Sequence, residues 1–150
     1  MSAAAEQAGQ LVRLRAMRLT RAERALAAAR AEAARAEGEA RAAQKQAAAA
    51  EARLADDRLE LATDLNAAAP RLALVERAAF LQSVAKSAAN DAVEQHRLCD
   101  EAERAGRKAL IAARARHDRM TDHVRTLHAR AALRHEEAAA IEVEDARRRR

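Results

Sequence analysis

The chain has 150 residues, and its 28 basic and 23 acidic side chains leave a net charge of +5. Half of it is nominally hydrophobic, yet aromatic residues make up 1% and Phe80 stands alone; most of that half is alanine, which favours helix and buries little. This composition argues against a globule of ordinary core density, a bilayer-spanning run of apolar residues and a nucleic-acid surface of one sign, and leaves an extended helical protein.

Residues 1–9 are small and polar and end at Gly9, which predicts a frayed start. Helix is expected over 10–66. A seven-residue step reads Val12, Leu19, Leu26, Ala33, Ala40, Ala47, Leu54, Leu61, with a companion row Ala22, Ala29, Ala36, Ala43, Ala50. Two such rows form a coiled-coil seam. The one strong break lies at Asn66 to Pro70, since Asn can end a helix and Pro suits the first turn of the next. A turn is therefore expected at 67–70.

A second helix is predicted over 71–146, with a seam at Ala78, Ala85, Ala92, Cys99, Gly106, Ala113, Met120 and Leu127. Its companion row includes Val75, Leu110, His117, Val124 and Ala131. Residues 147–150 form a basic tail. Folding the chain back near residue 68 sets Val12 by Val124, Leu26 by Leu110, and Leu54 by Gln82 with Leu81 and Val84 close by, so segments poor in large residues face each other. The fold class is thus all-α, a long antiparallel two-helix coiled-coil hairpin. Charge pairs a turn apart, such as Glu32 with Arg35 and Glu37 with Arg41, add about 0.2–0.5 kcal/mol each.

No constellation for catalysis, a cofactor or a metal is expected. The five histidines lack the helical i, i+4 ligand pair, because Ala139 stands where His135 would need its partner. His117 is read as a seam residue and His96, His123, His128 and His135 as solvated. Cys99 lies one turn from His96, but a small seam residue beside a polar neighbour explains that pair. With no second cysteine and no secretory signal, a reducing cytoplasmic setting is expected.

Charge is unevenly spread. Residues 1–26 hold five Arg against two Glu, whereas 51–66 hold two Arg against five acidic residues. The hairpin would place Arg13, Arg15, Arg18, Arg21 and Arg24 at its open end. The acidic stretch would lie at the closed tip beside Leu65, Leu72, Leu74, Phe80 and Leu81. Two unlike ends suit a connector between two partners. A generic structural coiled coil, as a scaffold or homodimer, is the alternative.

The segment Leu11-Val12-Arg13-Leu14-Arg15-Ala16-Met17-Arg18-Leu19-Thr20-Arg21-Ala22-Glu23-Arg24-Ala25-Leu26 resembles the opening of the YscO and FliJ family of type III secretion and flagellar export. A central break and a charged C-terminal helix, from His135-Glu136-Glu137 through Glu144-Asp145, extend the likeness in pattern. The resemblance implies a non-enzymatic stalk, cytoplasmic and peripheral to the inner-membrane base of a secretion apparatus. Its open end would enter a hexameric ATPase through Arg13, Arg15, Arg18 and Arg21, with Val12, Leu14, Leu19 and Leu26 holding the hairpin. The tip would face the cytoplasmic domain of the export gate, with escort chaperones as further partners in some members. The near-balanced charge and the lack of a long apolar run separately lead to no nucleic-acid partner and no direct membrane insertion being expected. Relatives often carry several aromatics at the tip, where this chain has only Phe80.

Overall fold

The computed structural model describes residues 3–63 and 68–148, all of them helical. Helix α1 spans Ala3–Thr63, 61 residues, and helix α2 spans Ala68–Arg148, 81 residues. The two pack together as an antiparallel helical hairpin.

The helices are covered where the heptads predict. Along α1 the buried or half-buried positions include the whole row Val12, Leu19, Leu26, Ala33, Ala40, Ala47, Leu54, Leu61 and the whole companion row Ala22, Ala29, Ala36, Ala43, Ala50. Along α2 they include Ala78, Ala85, Ala92, Cys99, Gly106, Ala113, Met120 and Leu127, with Val75, Leu110, His117 and Val124 in the second row. Alternating steps of three and four keep one stripe of each helix facing the other. Among the described residues six of the eight buried hydrophobic ones are alanines, and Leu26 and Leu54 are the exceptions at 3% and 6% exposure. Small seam residues let helices approach closely while burying little area.

The chain divides into two compact units. One comprises Leu26–Ala105 and holds the end of α1 with the start of α2. Within it Arg30 Nε lies 3.4 Å from Glu103 Oε1, and Arg71 Nη1 lies 2.6 Å from Glu60 Oε2. The midpoints of these pairs fall between residues 65 and 67, so the fold-back is centred short of residue 68. Of the residues expected at Leu54, Gln82 lies on the seam and is half-buried, whereas Leu81 and Val84 fall outside the two seam rows and are exposed. Alanine seams interlock weakly, so a shift of this size leaves the heptad rows covered. Where α1 ends, the Thr63 hydroxyl donates to the carbonyls of Leu59 and Glu60, both at 3.1 Å, the back-bond that a threonine makes within its own helix. Pro70 is the third residue of α2, where its missing N–H costs nothing. Leu65 and Asn66 lie outside the described residues.

The other unit comprises Met1–Ala25 and Gly106–Arg150. Its α1 segment starts earlier than the composition of 1–9 predicts. Residues 3–9 are helical, Ala8 is buried in line with the seam, and Glu6 in the first turn complements the positive end of the helix dipole. The α2 segment is the longer of the two, and from His128 to Arg148 every residue is exposed. Ala131 therefore lies past the end of the seam, which closes with Leu127. Arg147 and Arg148, expected in a tail, belong to the last helical turn, where cations offset the negative end of the dipole. Arg149 and Arg150 are outside the described residues.

Candidate partner-binding surfaces

In the unit that contains the chain start, residues 11–24 of α1 alternate between seam and surface. Arg13, Arg18, Arg21 and Arg24 are exposed as expected. Arg15 is not. It occupies the seam row seven residues before Ala22, is half-buried, and its Nε is buried without a hydrogen-bond partner. The same periodicity that covers Val12 and Leu19 turns Arg15 inward, so it leaves the set of outward arginines. Leu14, expected to hold the hairpin, is exposed instead.

Helical spacing sorts the outward residues into two faces. Leu11, Leu14, Arg18 and Arg21 share one, at steps of three, four and three; Arg13, Met17 and Arg24 share the other. Each face mixes guanidinium groups with exposed apolar side chains. The sequence reading noted the charges and missed Leu11 and Met17, although the heptad register already set both outside the seam. None of Arg13, Arg18, Arg21 and Arg24 forms an ion pair with another described residue.

The unit from Leu26 to Ala105 treats its charges differently. Arg41 pairs with Glu37 as expected, while Glu32 and Arg35 stay apart. Arg104 pairs with Asp100 at 2.6 Å, and Arg97 joins both Glu94 and Glu101. The Arg97 guanidinium, hydrogen-bonded to Glu94, holds that carboxyl below its usual range, and the two carboxylates raise Arg97 in turn.

The predicted tip residues Leu72, Leu74, Phe80 and Leu81 are all exposed, Phe80 at 67%. They do not form one cluster. Leu74 and Leu81 share a helical face, whereas Phe80 points elsewhere on α2. Leu59 on α1, at 66% exposure, joins the exposed apolar set and was not anticipated. Leu81 also borders a shallow groove of about 280 Å³ between the helices, lined with Gln46, Ala49, Ala50, Arg53 and Ala78. A neighbouring groove of about 260 Å³ adds Asp57, Leu74 and Arg77.

His117 lies on the seam, with Nδ1 3.1 Å from Asp118 Oδ1. His96 is half-buried in the same row rather than solvated, because it continues the series that runs from Val75 by sevens. Cys99 is half-buried and accepts from Gln95 Nε2 at 3.7 Å. Among the described residues no three His, Cys, Asp or Glu side chains converge on a point, and no helix is long and apolar enough to cross a membrane. Comparison with protein-family models, with curated proteins and with solved structures finds no match.

Proposed function

We propose that this chain is a non-enzymatic stalk of a type III secretion export apparatus, cytoplasmic and peripheral to its inner-membrane base. Its arginine-rich segment enters a hexameric ATPase, and another part of the hairpin reaches the cytoplasmic domain of the export gate. One observation supports this reading most: Arg13, Arg18, Arg21 and Arg24 stand exposed beside Leu11, Leu14 and Met17, with no ion pair among the described residues. Four uncompensated cations cost self-repulsion and add nothing to the hairpin, whereas an acidic pore would be drawn to them. The resemblance of residues 11–26 to the YscO and FliJ opening gives that pore its identity.

The test is the triple variant Arg13→Glu, Arg18→Glu, Arg21→Glu with the ATPase of the same secretion system. Helicity should hold, because the three side chains are exposed. Association should weaken at least tenfold, roughly 1.4 kcal/mol, and stimulation of ATP hydrolysis should be lost. Rising salt should weaken the wild-type complex as well. Wild-type binding by the triple variant would refute the stalk reading. The alternative of a scaffold built from copies of this chain draws on a different feature, the exposed apolar stripe of α2.

A further inference from the structure

The seam leaves a second apolar stripe unpartnered on α2. Leu74, Leu81, Val84, Ala88 and Leu98 follow one another at steps of seven, three, four and ten, so they share one helical face. All five are exposed. Two charges interrupt the stripe, Arg77 and Asp91, and both are exposed. Neither has an ion pair or a side-chain hydrogen bond among the described residues. Arg77 borders the groove that also holds Asp57 without pairing with it. Ser87, Ala88, Glu94 and Gln95, a turn to either side of Asp91, include no cation.

The placement of the two charges is symmetric. Each lies seven residues from Val84, about 10.5 Å along the axis at the usual helical rise, and on the same face as Val84. The two are therefore about 21 Å apart and cannot meet within one chain. In two chains related by a two-fold axis through Val84 they must meet twice. Arg77 of each copy comes beside the partner's Asp91, Val84 meets the partner's Val84, and Leu81 packs on the partner's Ala88. A surface that is complementary to itself under a two-fold rotation is what an isologous dimer requires. On the α1 flank of the stripe, Ala49 and Ala50 keep the groove shallow, so a second helix can approach.

We propose that this stripe is a homodimer interface, with a second copy of the chain docked antiparallel along α2 and Arg77 paired with the partner's Asp91. The proposal does not rest on the ATPase reading. If both hold, Leu74 and Leu81 cannot serve an export gate and a second copy at once, and the dimer is a form in which that surface is occupied.

Charge exchange tests it on the full-length chain. Sedimentation equilibrium of the wild type should show a monomer–dimer equilibrium. Arg77→Glu and Asp91→Lys, each alone, should shift it toward monomer at least tenfold, and the double variant should restore the dimer. Leu81→Glu should abolish it. All these positions are exposed, and unchanged circular dichroism separates loss of dimer from loss of fold. The proposal is overturned if the wild type stays monomeric at about 100 μM, in which case the stripe fits a helix of another protein. It is equally overturned if the single reversals dimerise as wild type does, or if the double variant is no better than either single one.

Discussion

Two leucines of α1, five residues apart, give a sharp test of how the hairpin is held. Leu54 is 6% exposed on the seam and Leu59 is 66% exposed on the outer face. Replacing either with Ala changes helix propensity by the same small amount, so the difference between the variants reports packing alone. Leu54→Ala removes three carbons from a covered site, about 2.4 kcal/mol at 0.8 kcal/mol per group. In a closed core a cavity penalty would add to this. Here the site lies in a single seam between two helices, where neighbouring side chains can close on the space, and the loss should stay near 2–3 kcal/mol. Leu59→Ala should stay within about 0.5 kcal/mol of wild type. Urea titration followed by far-ultraviolet circular dichroism measures both, with the slope checked for constancy. Equal midpoints for the two variants would refute the placement of the seam.

Two further substitutions probe local features. Gly38 lies inside α1, and a Cβ built there meets nothing within 4 Å; Gly38→Ala should stabilise the chain by about 0.8–1 kcal/mol in the same titration, and no gain would mean that α1 is not continuous helix at this point. Arg15→Leu replaces a buried, unpartnered Nε with an apolar group at a seam position and should stabilise by about 1–2 kcal/mol, whereas destabilisation would show that the arginine stem packs better than leucine does.

The seam was legible because heptad arithmetic is strict. Val12, Leu19, Leu26, Leu54 and Leu61 fix one row by themselves, and a seven-residue step from them names every covered alanine of that row. The same arithmetic, extended by one step from Ala22, reaches Arg15, and the charge of that residue hid its position. His96 was missed because a polar ring was read as solvated although it stands on the row that runs by sevens from Val75. Register between the helices was less legible. Alanine against alanine tolerates a shift of a few residues, so large residues alone could not locate the fold-back, and the pairs Arg30–Glu103 and Glu60–Arg71 were needed to centre it. The early start of α1 at Ala3 was hidden by Gly9, whose cost is outweighed by the alanines around it and by the burial of Ala8.

An alanine seam has a consequence for where function can lie. Because the stripe between the helices takes up few large side chains, Leu11, Leu14, Met17, Leu74, Leu81 and Val84 remain on the outside, where they add nothing to the hairpin and favour association. Charge follows a parallel division. Around Arg97 the cations are matched by carboxylates on their own helix, which supports α2 locally and leaves little for a partner. Around Arg18 no such matching exists, and Glu23 sits among five arginines without pairing with any of them. Local stability and partner recognition thus draw on different residues of the same helices. Mutations at Glu94, Arg97 or Glu101 should be read in thermal stability, and mutations at Arg13, Arg18, Arg21 or Arg24 in binding.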